Sequence, residues 1–264
     1  MTLLRIFGSG DELGAHAAAE VWRRLEAAQA ERGVATLGCP SGRSPMSTYA
    51  ALAAQAPGAR MDGARLHFVM MDEYLVTDGA GECLPPRAAH FSCAGFGERH
   101  ILAPLNAALV APVPPENLHV PSADDPAAYE DVIAGLGGID MFLLASGASD
   151  GHVAFNPPGT PRAATTRRVE LAEATRRDNL GTFPAFRSLD EVPRFGVSVG
   201  PETIARHAGA ALLLMIGAAK RPSLERIRAA RSYDAAWPAT IVHDCANPTI
   251  FADRAAAGDQ AASG

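Results

Sequence analysis

An acid and an imidazole two positions apart, Asp150 and His152, follow the apolar run Met141-Phe142-Leu143-Leu144 after a short stretch of small residues. In an open α/β sheet, ligands sit just beyond the carboxyl ends of the strands, so a loop in this place is where a carboxylate and an imidazole can act together on a proton. Gly151 between them permits the tight turn that lets both face one site. The plainer alternative is a strand-to-loop junction whose aspartate starts a turn. Three further loops carry polar groups in the same setting. Ser41-Gly42-Arg43-Ser44-Pro45 leads into a helical stretch; hydroxyls, a glycine and a helix N-terminus favour an anion, although the same pattern also makes an ordinary capped turn. Asp72-Glu73-Tyr74 closes a β-rich run and offers either a cap or a base. Ile216-Gly217-Ala218-Ala219-Lys220 again runs from strand through glycine to helix, and holds the single lysine among 23 basic residues. A lysine where arginine serves everywhere else points to a need for a compact ammonium. Together Ser41, Gly42, Arg43, Ser44 and Lys220 make a site for a phosphate ester. There is no His/Cys cluster with metal-ligand spacing, so no metal is expected. G-x-S-x-G and G-x-G-x-x-G are missing in usable context, which disfavours a hydrolase nucleophile and a dinucleotide.

The elements that must hold these loops alternate between strand and helix almost throughout. Strands are predicted at 3–7, 34–37, 66–71, 117–120, 141–144, 195–199, 211–216 and 249–252, with an edge strand at 168–171. Helices are predicted at 11–31, 46–55, 126–136, 201–206 and 222–231. Such alternation argues for a mainly parallel sheet covered on both faces. Residues 75–90 read as a long surface excursion. Residues 1–257 read as one domain, and the small, polar tail from Ala255, in particular 258–264, is expected to fray. Hydrophobic residues make up 48% of the 264, enough for a packed core, and the net charge of −6 gives no reason to expect a nucleic-acid partner. Apolar runs fall short of the roughly 18–20 residues that span a bilayer, and the N-terminal apolar stretch is too short for a signal peptide. Cys39, Cys83, Cys93 and Cys245 lack C-x-x-C spacing and read as reduced thiols of a cytoplasmic protein.

In this order the four loops resemble the superfamily of glucosamine-6-phosphate deaminases (isomerases) and 6-phosphogluconolactonases. The resemblance runs from about residue 10 to 257. It rests on the Ser41–Pro45 loop, Met71-Asp72-Glu73-Tyr74, Asp150-Gly151-His152-Val153-Ala154-Phe155-Asn156, Val192-Pro193-Arg194 through Val199-Gly200, Gly217 to Lys220, and Trp237-Pro238-Ala239-Thr240. The M-D-E-Y and D-G-H-x-A-F-N forms are those of the deaminase branch; lactonases typically carry D-E-R and D-G-H-T-A-S. The resemblance implies a three-layer α/β/α sandwich with a mainly parallel, doubly wound sheet, similar to ribose-5-phosphate isomerase and CoA transferases. It implies aldose–ketose isomerisation with deamination of a 2-amino-2-deoxyhexose 6-phosphate, without a cofactor. Asp72 would move the proton between C2 and C1, His152 would open the ring with Asp150 fixing its imidazole, and Ser41, Gly42, Ser44 and Lys220 would hold the phosphate. The partner is then a small sugar phosphate; neither a nucleic acid nor a membrane is implied, and assembly as a homo-oligomer is left open.

Departures from the family pattern are as informative. Deaminases normally read F-N-E-P where this chain has Phe155-Asn156-Pro157-Pro158, and that glutamate completes the ring-opening group with the histidine. Arg43 stands where the family usually has glycine. A phosphate-binding arginine expected after the histidine loop has no clean match, with Arg176, Arg177 and Arg187 as candidates. Two rival functions follow. One is a lactonase in which His152 activates water and no C2 base is needed. The other is a sugar-phosphate sensor without turnover, against which stands the lack of room for a DNA-binding segment before residue 10.

Overall fold

The computed structural model describes residues 2–79 and 81–258. Among the described residues eleven strands are formed: β1 (Leu3–Phe7), β2 (Ala35–Cys39), β3 (Leu66–Met70), β4 (Asp72–Asp78), β5 (Gly81–Cys83), β6 (Leu118–His119), β7 (Met141–Ala145), β8 (Arg167–Glu170), β9 (Phe195–Ser198), β10 (Ala211–Met215) and β11 (Pro248–Asp253). Seven make one sheet in the order β1-β11-β10-β7-β2-β3-β6, and each of its pairings is parallel. A sheet buried on both faces needs strands that are apolar at every position. Leu143 of β7 and Leu212 and Leu214 of β10 pack into one cluster, with the helices Gly10–Arg32 and Met46–Gln55. Their neighbours Phe142, Leu144, Leu213 and Met215 pack into the other, with the helices Pro201–His207 and Arg221–Ala229. Successive side chains point to opposite faces, so one five-residue run supplies both layers.

The strand order reverses between β2 and β7. From β2 the chain proceeds outward to β3 and β6; from β7 it proceeds the other way, to β10 and β11. Crevices at such a reversal, outside the carboxyl ends of the strands, are where open α/β sheets bind ligands. The four polar loops leave β2, β3, β7 and β10, the four strands that surround this point.

A second, antiparallel sheet with the order β5-β4-β9-β8 corrects several expectations. The strands expected at 168–171 and 195–199 exist, but they belong to this sheet and not to the parallel one. The excursion expected at 75–90 is partly a hairpin, in which Val76 pairs with Cys83 and Thr77 with Glu82. β4 is held mainly by β9, more than a hundred residues away, a pairing that no local pattern announces. Met71 is the junction between the sheets: its N–H donates to the Cys39 carbonyl of β2 while its own carbonyl accepts from Val199. Helices at Cys93–Gly97, Ala103–Asn106 and Glu173–Thr182 were not foreseen either. The fraying expected from Ala255 is contradicted in part. Arg254–Ala257 is a helical turn with Ala256 and Ala257 buried, because the Asp253 carboxylate accepts from Ala256 N–H at 2.8 Å. The remainder of that tail, 259–264, lies outside the described residues.

Gly151 is a position where both conformation and space demand glycine. Its φ of +66° is left-handed, and a Cβ there would lie 2.2 Å from the Trp237 indole. That indole is fixed in turn, its Nε1–H donating to Ser223 Oγ at 3.1 Å while Ala239 N–H reaches the Gly151 carbonyl at 2.8 Å. Gly151→Ala is therefore expected to destabilise the protein by about 3 kcal/mol or more and to displace His152. Thermal unfolding checks this, and a melting temperature equal to wild type would refute it.

Candidate active site

A cavity of about 450 Å³ opens at the strand-order reversal, and its wall includes Ser41, Gly42, Arg43, Ser44, Asp72, His152 and Lys220. Residues scattered over 180 positions are thus brought to one place. Asp150, the remaining expected group, stands behind His152 rather than on the wall.

Each side chain is placed for a local reason. The loop after β2 turns at Gly42, whose φ of +92° suits glycine, and runs into the helix Met46–Gln55. No side chain caps that helix; Met46 N–H donates to the Arg43 carbonyl at 3.3 Å, and the uncapped remainder of the N-terminus favours an anion. After β10, the turn at Gly217 brings Lys220 to the cavity from the opposite side, with its Nζ donating to the Ser146 carbonyl. Burial pushes the Lys220 ammonium below its ordinary range, against the attraction of Asp178, and Arg43 nearby adds to the lowering. A phosphate would replace the solvation this ammonium has lost.

Asp72 begins β4 and is 5% exposed. Burial raises its carboxyl to about 7; the Cys93 thiol, donating to Oδ1 at 3.3 Å, opposes that rise, Glu73 adds to it, and His152 opposes it. A carboxylate with a pKa near neutrality is basic enough to take a carbon-bound proton and is still ionised at working pH. Its neighbour Glu73 does something different. Its two oxygens accept from Tyr74 N–H, Ser92 Oγ–H, Cys93 N–H and Ala94 N–H at 2.8–2.9 Å, pinning the helix Cys93–Gly97 to β4. Of the two adjacent acids, one faces the cavity and the other joins elements.

His152 Nδ1 lies 2.7 Å from Asp150 Oδ1, which also accepts from His152 N–H at 3.1 Å. Burial raises the Asp150 carboxyl, but the hydrogen bonds and charge of His152 outweigh it and hold Asp150 below its ordinary value. With Nδ1–H donated to Asp150, Nε2 is the nitrogen left for a ligand. Ala154, at a left-handed φ of 50°, turns the chain so that Phe155 packs against Tyr74, with ring centroids 4.9 Å apart.

Residues outside the four loops also shape the cavity. The helix Glu173–Thr182 contributes Thr175, Asp178, Asn179 and Thr182, and Thr175 Oγ1 lies 3.3 Å from His152 Nδ1. Its mean hydropathy is low and its sequence is polar all round, so nothing local marks it as a cavity wall. Of the arginines considered for the phosphate, Arg176 donates to the Leu189 and Val192 carbonyls and Arg177 pairs with Glu173; neither lines the cavity, and nor does Arg187. Arg43 does, and it also borders a second cavity of about 580 Å³ on its far side, shared with His90, Arg99 and His100. Pro157 is not on the wall either; its carbonyl accepts from Thr160 N–H and Oγ1–H.

The geometry defines a class: a mainly parallel α/β protein with a Gly/Ser loop facing a buried lysine, a buried carboxylate near neutrality and a carboxylate–imidazole pair at the point of strand-order reversal. The profile of the family described as glucosamine-6-phosphate isomerases/6-phosphogluconolactonase matches residues 8–251, and the chain belongs to that family. It is similar to a glucosamine-6-phosphate deaminase of Shouchella clausii, 32% identical over 94% of this chain and 93% of that one. It is likewise similar to a glucosamine-6-phosphate isomerase of Candida albicans, 31% identical over 84% and 85%. Among solved structures, one described as a monomeric glucosamine-6-phosphate deaminase superposes with a TM-score of 0.82 at 26% identity, covering 97% of this chain and 99% of that one. A 6-phosphogluconolactonase of Trypanosoma brucei, 20% identical with a TM-score of 0.70 over 99% of each chain, shares the fold.

Proposed function

We propose that this protein is an enzyme that isomerises and deaminates a 2-amino-2-deoxyhexose 6-phosphate, converting glucosamine 6-phosphate or a close relative to the ketose phosphate and ammonia. The observation that carries this reading is Asp72, a buried carboxylate held near neutrality on the same cavity wall as the anion cradle. A lactonase needs no such base, and the curated relatives matched over most of the chain are named deaminases and isomerases.

The phosphate lies between the loop after β2 and Lys220, where Ser41 and Ser44 donate hydroxyl hydrogens, Gly42 lets the backbone approach, and Lys220 supplies the compact charge. Arg43 supplies the guanidinium that Arg176, Arg177 and Arg187 are not placed to give. His152 moves a proton between the ring oxygen and the C1 hydroxyl, with Asp150 fixing the tautomer. In the opened sugar Asp72 removes the C2 proton, which leaves an enolamine, and it then returns the proton at C1. The enolamine so formed becomes a C2 imine, and water adds to it and expels ammonia. The C1 aldehyde beside the amine-bearing carbon is the electron sink for the pair left at C2, so no cofactor enters the scheme. Site and cradle come from one chain, four free thiols suit a reducing compartment, and a phosphorylated sugar is an intracellular substrate; a cytoplasmic enzyme complete within one chain fits these features.

The test is ammonia release from glucosamine 6-phosphate and galactosamine 6-phosphate, measured for wild type and Lys220→Ala. Release by wild type is expected, and the variant should bind the sugar phosphate about 10–100-fold more weakly, the loss of a charge-assisted contact. Thermal stabilisation by both sugars with no ammonia from either would overturn the deaminase reading.

A further inference from the structure

The Cys93 thiol bridges Asp72 and the Ser41 loop. Its Sγ lies 3.3 Å from Asp72 Oδ1 and 3.4 Å from Ser41 Oγ, and the residue is fully buried. A thiol has one hydrogen. Asp72 as a carboxylate can only accept, so the hydrogen goes to Asp72 and the sulfur lone pair is left to receive the Ser41 hydroxyl hydrogen. Burial, first of all, and then the neighbouring carboxylates keep the thiol protonated well beyond its ordinary range, so this is a standing donor and not a nucleophile. Its position is not adjustable. The Cys93 N–H and the flanking Ser92 and Ala94 are tied to the Glu73 carboxylate, one residue from Asp72 on the same strand.

We propose that Cys93 is a positioning residue that couples phosphate binding at the Ser41 loop to the protonation of Asp72. Without phosphate, Ser41 donates to the sulfur, which polarises the S–H and strengthens its hold on Asp72 Oδ1. When a phosphate oxygen takes the Ser41 hydrogen, that polarisation is lost, the S–H donates less strongly, and Asp72 becomes more basic. The base is thereby sharpened when a phosphorylated substrate is in place. The other groups facing Asp72 are Glu73 and Tyr74 from its own strand, His152 from the loop after β7, Tyr49 from the helix Met46–Gln55 and Tyr129 from the helix Ala128–Gly135. None of these touches the phosphate loop through a hydrogen bond to both Asp72 and Ser41, as Cys93 does.

The linkage rests on the roles given above to Asp72 and the phosphate loop, and its test does not depend on turnover. The Asp72 carboxyl carbon is followed by NMR across pH in the full chain, with and without inorganic phosphate, in wild type, Cys93→Ala, Cys93→Ser and Ser41→Ala. Wild type should show an upward displacement of the Asp72 midpoint on adding phosphate. Cys93→Ala should begin about half a unit or more higher and respond less to phosphate, since only the through-space effect of the added charge remains. Cys93→Ser, which keeps a donor and an acceptor, should restore the wild-type pattern. Ser41→Ala, brought to saturating phosphate because Ser41 also meets the ion, cuts the link at its other end and should also blunt the phosphate response. An Asp72 midpoint and phosphate response in Cys93→Ala equal to wild type would overturn the proposal, as would a raised midpoint with an undiminished phosphate response. Failure of the deaminase reading would appear instead as absent ammonia, so the two outcomes are separable.

Discussion

Asp72→Asn is expected to lower ammonia release by roughly 10³-fold or more while leaving sugar-phosphate affinity near that of wild type. General-base contributions run to about 10²–10⁴-fold, and here the wall of the cavity offers no replacement. Its other carboxylate, Asp178, faces Lys220 and the phosphate loop. Asparagine preserves shape and can still accept from Cys93, so binding should survive. Turnover retained within tenfold of wild type would end the proton-abstraction role and favour the lactonase. The wild-type rate should also fall about tenfold per unit as pH drops below about 7, because the base works only when ionised and its carboxyl is raised to about 7.

The same raised value makes a separate claim on stability. Unfolded, the carboxyl titrates near 3.9; folded, it does so at about 7. The folded state therefore holds the proton more tightly, and stability is lost as pH rises from about 4 towards 7. Asp72→Asn removes this penalty, so the variant should melt at a higher temperature than wild type at pH 8 and show no such gain near pH 4. A catalytically dead but more stable variant is what a functional carboxylate buried against its own interest produces. A carboxylate present for structure would give the reverse.

His152→Ala is expected to reduce turnover by about 10²–10⁴-fold, again with sugar-phosphate binding retained. The family pattern that the chain resembles would set a glutamate at the position of Pro157, but here that position is off the cavity wall and its carbonyl is engaged by Thr160. In the proposed mechanism ring opening then falls on the imidazole alone, which Asp150 fixes through the 2.7 Å contact at Nδ1. Asp150→Asn should accordingly give a smaller loss than His152→Ala, since the ring remains but its orientation and tautomer are no longer enforced. Steady-state rates for both variants decide the order. Equal rates for wild type and His152→Ala would remove the histidine from the reaction.

Much of this was legible along the chain because the information is local. A five-residue apolar run bounded by turn residues reads as a buried strand, and glycines, hydroxyls and a lone lysine at strand ends mark loops suited to an anion. The groups at 41–44, 72, 150–152 and 220 could be picked out on that basis, and the parallel sheet followed from the alternation of elements. What the residues could not disclose depends on contacts between distant segments. The pairing of β4 with β9 turns Asp72 from a strand end into the first residue of a second sheet and buries it, and burial is what raises its carboxyl. Nothing about Glu73 or Cys93 in isolation says that one clamps a helix and the other lies between Asp72 and Ser41. The polar helix Glu173–Thr182 shows no apolar stripe, because it serves as a cavity wall rather than a core element. The amino-acid sequence by itself determined which chemical groups the protein possesses and which ends of which strands carry them, since those follow from residue type and short-range periodicity. Tertiary structure alone decided which of two adjacent acids faces the cavity, which arginine lines it and what sits behind each polar group, because desolvation and hydrogen-bond partners are properties of surroundings assembled from the whole chain.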